Sequence, residues 1–168
     1  MRPVSIAFLV LWLAACGGSD GSSRGALEAI RQGLNPPPEP DTIPEMIEYD
    51  ADLAVNLDEM KELPAGVLYQ DLEPGEGAEA APGDRVELRL AGWLPDGVPI
   101  DSLSLTVSLG AGELIQGLDL GVAGMKPGGR RKLVIPPGLA YGGEGREGVP
   151  PYSVVVYDVG LVAIRPER

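Results

Sequence analysis

The 168-residue chain contains no histidine and only one cysteine, Cys16. Without imidazole there is no Ser-His-Asp or Cys-His nucleophile pair and no histidine metal site, and a single thiol makes neither an intrachain disulfide nor a thiolate zinc cluster. Neither metal nor cofactor is expected. Basic residues are also scarce: 13 Lys and Arg stand against 25 Asp and Glu, and the net charge of −12 argues against a nucleic-acid partner. Aromatic residues number two Trp, five Tyr and one Phe. What the chain has in excess is 24 Gly and 17 Pro, set among 44% hydrophobic residues. That combination suits a small, turn-rich domain with a disordered part attached.

The first residues read as an address. Arg2 is followed by an apolar run from Ile6 to Leu13 and then by Ala14 and Ala15, a secretory pattern too short to span a bilayer. Leu13-Ala14-Ala15-Cys16-Gly17 resembles the bacterial lipobox, which implies a lipoprotein signal peptide over 1–15 and an acylated Cys16 as mature N-terminus. The protein would then be anchored to a membrane through lipid without crossing it. Residues 16–62 form an acidic, Pro/Gly-rich tether. Between Gly17 and Glu62 there are 11 acids and 3 bases. Pro36-Pro37-Pro38-Glu39-Pro40 favours extended polyproline geometry. Leu53, Val55 and Leu57 alternate with polar or small residues, which suggests an extended piece lying on the domain that follows.

From Leu63 to Arg168 the pattern changes to short alternating runs separated by turns. Val86, Leu88 and Leu90 alternate, as do Leu103 to Leu109, Leu133 with Ile135, and Val155 to Leu161, each with one face to bury. Pro74-Gly75, Pro82-Gly83, Asp96-Gly97 and Pro127-Gly128-Gly129 supply turns. Ile115, Leu118, Val122 and Met125 form a single apolar stripe at helical spacing. Several antiparallel strands wrapped on one short helix make an α+β architecture. The run Arg130-Arg131-Lys132 reads as a solvated strand edge. The glycine-rich pieces at Gly110 and Gly142 lack the Lys and Ser/Thr of a phosphate loop.

The colinear motifs identify a family. Residues 66–164 resemble the FKBP-type peptidyl-prolyl cis-trans isomerases through Gly66-Val67-Leu68-Tyr69, Pro74-Gly75-Glu76-Gly77, Pro82-Gly83-Asp84 and Gly92-Trp93-Leu94-Pro95-Asp96-Gly97. The resemblance continues in Asp101-Ser102, Leu114-Ile115-Gln116-Gly117-Leu118, Arg130 to Pro137, Leu139-Ala140-Tyr141-Gly142, Val149-Pro150-Pro151 and Tyr157-Asp158-Val159. It implies a curved antiparallel half-barrel sheet around the short helix, in agreement with the strand and helix pattern.

The reaction implied is rotation about X-Pro bonds, whose barrier of about 18–20 kcal/mol reflects lost amide resonance. A dry site that binds the twisted amide better than either planar form lowers that barrier without a nucleophile. By resemblance, Tyr141, Asp101 and Ile115 carry the catalysis. The Ile115 N–H and the Tyr141 hydroxyl would face carbonyl oxygens of the peptide, and Asp101 would lie at the pocket edge. Leu90, Ile100, Leu105, Leu114, Leu118, Val149 and Tyr157 would line the substrate pocket, with Leu118 as its floor. Residue type alone favours core packing for Leu90, Leu105 and Leu118, and Asp101 before Ser102 is equally at home in a turn.

Two departures from the family pattern stand out. Leu90, Ile100, Leu105 and Leu118 occupy positions usually held by aromatic rings, which implies a wider pocket with weaker stacking against proline. The chain is also about five residues shorter between Ser102 and Leu105, which removes a commonly basic position that helps hold the aspartate. The resemblance therefore points to an isomerase acting on proline-containing or unfolded exported polypeptides at the cell envelope, at the outer membrane or periplasmic face. Macrolide ligands of the family would bind less well. The alternative is a peptide-binding or chaperone module with little isomerase activity.

Overall fold

The computed structural model describes residues 43–165; Cys16, the signal segment and the first part of the tether lie outside the described residues. Six strands form one antiparallel sheet: β1 (Lys61–Glu62), β2 (Leu68–Glu73), β3 (Arg85–Trp93), β4 (Pro99–Ser108), β5 (Arg130–Ile135) and β6 (Val155–Arg165). Their order is β1-β2-β5-β6-β3-β4, so the curved sheet stays open, with β1 and β4 at its edges. The single α-helix among the described residues, α1 (Gln116–Val122), lies against the inner face.

Alternation decides which face is inner. Along β3, Val86, Leu88, Leu90 and Gly92 are buried and face the same way; they pair with Val107, Leu105, Leu103 and Asp101 of β4. On the other side they pair with Ile164, Leu161, Val159 and Tyr157 of β6. Leu118, Val122 and Met125 close this core from the helix side. The stripe expected from spacing is thus the buried one, although the helix itself ends before Met125, where Gly124 adopts φ +79°.

The helix lies close on β5 because two of its residues have no side chain. A Cβ at Gly117 would stand 2.2 Å from Cγ2 of Ile135, and one at Gly121 would stand 2.3 Å from Cδ1 of Leu133. These glycines are four apart and share one helix face. Arg131 then reaches from β5 to the end of α1 and donates to the carbonyls of Gly121 (2.8 Å) and Ala123 (3.4 Å). Cationic donors suit the last carbonyls of a helix. The same guanidinium donates to Asp71 Oδ1 at 2.6 Å and stacks on the Tyr69 ring.

This corrects the reading of Arg130-Arg131-Lys132 as a solvated edge. β5 lies between β2 and β6, and both Arg131 and Lys132 are buried. Alternation sends Arg131 to the inner face and Lys132 to the outer one, where the Lys132 ammonium donates to the Leu53 carbonyl and lies 3.3 Å from Asp158.

The outer face has its own covering. Residues 43–60 run across it through three short 3-10 turns, and Leu53 packs with Leu68, Val134, Val154 and Val156. Ile47, Tyr49, Val55, Leu57 and Met60 extend this second cluster. The Asp50 side chain caps its turn by accepting from the Asp52 N–H at 2.8 Å, and the Asp50 N–H donates to the Pro95 carbonyl at 2.8 Å. The packed unit therefore begins ahead of Leu63, and the alternating Leu53, Val55 and Leu57 lie on the sheet.

Candidate functional site

Three neighbouring strands set the centre of the site. Gly92 of β3 pairs with Asp101 of β4 on one side and with Tyr157 of β6 on the other. Adjacent strands are about 4.8 Å apart, so the Asp101 and Tyr157 backbones stand about 10 Å apart. The Tyr157 side chain bridges that span by lying flat over Gly92. A Cβ there would fall 2.5 Å from Cε1 and 2.8 Å from Cζ of the ring. With the ring so placed, the Tyr157 hydroxyl donates to Oδ2 of Asp101.

Tyr141 arrives from the loop after β5. Pro137–Leu139 forms a 3-10 turn, and the Gly142 N–H returns to the Pro137 carbonyl at 2.8 Å, with Gly142 at φ +60°. The following segment folds back on itself: Gly145 N–H donates to Tyr141 O at 3.1 Å, and Arg146 and Val149 exchange backbone bonds of 2.9 and 2.8 Å. The tight turn presents Tyr141, Arg146 and Val149 to the end of the sheet. The Tyr141 hydroxyl lies 2.9 Å from that of Tyr157 and 3.4 Å from Asp101 Oδ2.

Asp101 has a cationic partner despite the short β4 segment. Arg146 Nη2 donates to Asp101 Oδ2 at 2.5 Å and to the Ile100 carbonyl at 3.3 Å. Its guanidinium carbon lies 4.5 Å from the Tyr141 ring centroid. The shortened Asp101–Leu105 stretch pairs in unbroken register with β3, so the base comes from the opposite loop. Burial pushes the Asp101 carboxyl up, but the bonds from Arg146 and then Tyr157 outweigh it, and the group lies below the usual carboxylate range. Burial raises both tyrosines; the bonds to Asp101 and Tyr141 add to the rise at Tyr157, whereas at Tyr141 the bond to Tyr157 and the charge of Arg146 oppose it. At neutral pH the cluster is one carboxylate held by two neutral hydroxyls and one guanidinium.

The apolar residues divide by depth. Leu90, Leu118, Val149 and Tyr157 are buried in the inner core, and Ile100, Leu105, Leu114, Ile115 and Tyr141 are half-buried against it. Ile115 is the residue before α1, extended at ψ 147°, and its carbonyl accepts from Leu118 and Asp119. Its own N–H has no acceptor among the described residues. Of the ten residues expected around the site outside the leader, hydrogen bonds bring Asp101, Tyr141 and Tyr157 together, while the other seven belong to the inner core or pack against it; Cys16 lies outside the described residues. The arrangement offers hydroxyls and a carboxylate beside partly buried apolar residues. That combination can hold an extended peptide by its carbonyls while excluding water from the ring it buries.

Sequence reasoning missed two contributors. Arg146 is a lone base between Gly145 and Gly148, and that isolation in a glycine loop was the available signal. Gly92 seats Tyr157, which only the cross-strand register reveals. Elsewhere, a depression of about 770 Å3 on the outer side is lined by Arg89, Arg130, Glu73 and Asp158. Arg130 pairs there with Glu73 at 3.0 Å and Asp158 at 3.6 Å, and Leu90, Leu103, Leu161 and Val162 also line it.

An open antiparallel sheet around a short helix, carrying an Asp-Tyr-Tyr cluster, is the architecture of a known family of enzymes. The profile of the FKBP-type peptidyl-prolyl cis-trans isomerases matches residues 76–162, and the chain belongs to that family of enzymes. It is 40% identical over 105 residues to the FK506-binding protein of Neisseria meningitidis serogroup B, covering 59% of this chain and 96% of that one. FK506-binding protein 3 of Yarrowia lipolytica is 42% identical over 109 residues, which make up 62% of this chain but 27% of that protein. Among solved structures, FkpA from Escherichia coli aligns with a TM-score of 0.61 at 29% identity, over 86% of this chain and 61% of that one. A peptidyl-prolyl cis-trans isomerase from Pseudomonas syringae aligns with a TM-score of 0.61 at 29% identity, over 88% and 98%.

Proposed function

We propose that this isomerase acts on X-Pro bonds of exported polypeptides in the cell envelope, held to a membrane by lipid on Cys16. Catalysis would come from an apolar site that favours the twisted amide, with no covalent step. The observation that supports this reading is the hydrogen-bonded Asp101–Tyr141–Tyr157 cluster, whose tyrosines belong to the same apolar core as Ile115, Leu105 and Leu118. The twisted amide has less charge separation than the planar one, so an apolar surround costs it less desolvation. Its carbonyls would be oriented by the Tyr141 hydroxyl and the Ile115 N–H. Leu118 would lie under the proline ring, with Leu90, Ile100, Leu114 and Val149 completing the wall. The leader and the lipobox-like Leu13-Ala14-Ala15-Cys16 support export and anchoring.

The four aliphatic residues at usually aromatic positions favour a second reading, a peptide-holding module with little turnover. One experiment separates them. Isomerisation of a proline-containing peptide is followed through its cis population, alongside aggregation of an unfolded client. Acceleration is expected; an uncatalysed rate together with suppressed aggregation would establish the second reading. Mass spectrometry of the mature N-terminus from the native host tests the anchor, which fails if Cys16 carries no acyl chain.

A further inference from the structure

The loop arginine does more than neutralise a carboxylate. Three bonds converge on Oδ2 of Asp101, from Arg146, Tyr157 and Tyr141, while Oδ1 has no hydrogen bond among the described residues. Arg146 is the sole cationic partner of Asp101 among those residues. The same guanidinium stacks on the Tyr141 ring and donates to the backbone carbonyl of Ile100 on β4. One side chain thus touches three elements of the candidate site. Two of them, Asp101 and Ile100, lie on an edge strand, and the third, Tyr141, begins the loop that Arg146 itself closes through its backbone bonds with Val149.

We infer that Arg146 is a positioning residue that clamps the Tyr141–Val149 loop to β4 and holds Asp101 and Tyr141 in register for the bound peptide. The inference rests on the isomerase reading above. Geometry explains the choice of arginine. A planar guanidinium can bond a carboxylate at its edge while its face covers an aromatic ring. A lysine ammonium supplies the charge without the flat face. With Arg146 removed, Asp101 keeps Tyr157 but loses its charge partner, and Tyr141 loses the plane that fixes its ring. The other groups facing Asp101 are the hydroxyls of Tyr157 from β6 and Tyr141 from the loop, and neither carries charge at neutral pH.

The test uses the full chain with Arg146→Ala, Arg146→Lys, Asp101→Asn and the Arg146→Ala/Asp101→Asn pair. Arg146→Ala should lower kcat/KM by about tenfold, the scale of one charge-assisted hydrogen bond. Arg146→Lys should recover part of that loss. In the Asp101→Asn background, Arg146→Ala should have under about half its effect, because contacting residues in one network are not additive. Independently of turnover, carboxyl NMR should show the Asp101 midpoint moving to higher pH in Arg146→Ala and returning in Arg146→Lys. An unmoved midpoint, or fully additive losses, overturns the clamp. Absence of turnover in the unsubstituted protein would instead remove the isomerase reading, while the NMR titration still decides the Arg146–Asp101 coupling.

Discussion

The ring of Tyr157 rests directly on Gly92, so close that a methyl group on the glycine would lie 2.5 Å from Cε1. This contact carries the tyrosine hydroxyl across β3 to Asp101, and it makes a residue without a side chain part of the site. Gly92→Ala should tilt the ring and separate the hydroxyl from the carboxylate. Overpacking at a buried position costs about 1–3 kcal/mol, and urea unfolding should show a loss in that range. The proline-peptide rate should fall as well; an unchanged rate with lost stability would mean that the Tyr157–Asp101 bond is not needed for turnover.

Tyr141→Phe removes one hydroxyl and leaves the ring under Arg146. A single neutral hydrogen bond is worth about 1 kcal/mol, so kcat/KM should fall about fivefold. Asp101→Ala should cost more, because it releases Arg146 and both hydroxyls from their shared acceptor. Circular dichroism should show both variants folded. Equal rates in both variants and the parent would remove these residues from the reaction.

The pH profile should be flat through neutrality. The chain has no histidine, and histidine is the side chain whose ordinary titration falls between pH 5 and 8. The Asp101 carboxyl lies below its ordinary value, because the Arg146 and Tyr157 bonds together exceed the upward push of burial. A lowered carboxylate stabilises the fold fully above its unfolded value of about 3.9, and that contribution is lost as pH falls through the folded value. Both tyrosines are raised by burial, so they add no alkaline limb below about pH 10. Stability and kcat/KM should therefore hold from about pH 5 to 9, and the Asp101 contribution should be lost only as pH falls below about 3.9 towards the lowered folded value. An inflection near pH 6.5 would contradict this assignment.

The segment on the outer face should matter for stability more than for the site. Leu53 is 5% exposed and packs with Leu68, Val134, Val154 and Val156. Leu53→Ala should cost about 2–3 kcal/mol, within the range for a buried leucine in a small cluster. The proline-peptide rate at a temperature where the variant is folded should stay within about twofold, since this cluster lies on the face of the sheet opposite the inner core and none of its members is a site residue. A large loss of rate would show that the outer strap acts through the sheet on Tyr157.

Gly121→Ala sets two opposing effects against each other. Helix propensity alone would gain about 1 kcal/mol. The new Cβ, however, would lie 2.3 Å from Cδ1 of Leu133, which is fully buried and has no room to give; such overpacking costs about 1–3 kcal/mol. A net loss in a denaturant melt is expected, and a gain would show that α1 can lift from β5.

Much of this protein was legible in the order of its residues. Alternation along Val86-Leu88-Leu90 and Val155 to Leu161 named the inner face, because a strand reverses its side chains at every step. The stripe Leu118-Val122-Met125 likewise named the helix face. Motif order pointed to Tyr141 and Asp101, which the structure joins by a hydrogen bond, and the absence of histidine with a single cysteine excluded histidine-assisted nucleophiles, imidazole metal sites and thiolate clusters before any fold was known. Pairing across the sheet was not legible, since alternation says which way a residue faces but not which residue lies opposite. Only the tertiary structure put Gly92 between Asp101 and Tyr157, brought Arg146 from a separate loop onto that carboxylate, and buried Arg131 and Lys132 inside the sheet. Those contacts join residues up to 79 positions apart, where local spacing carries no information and the register of the strands decides.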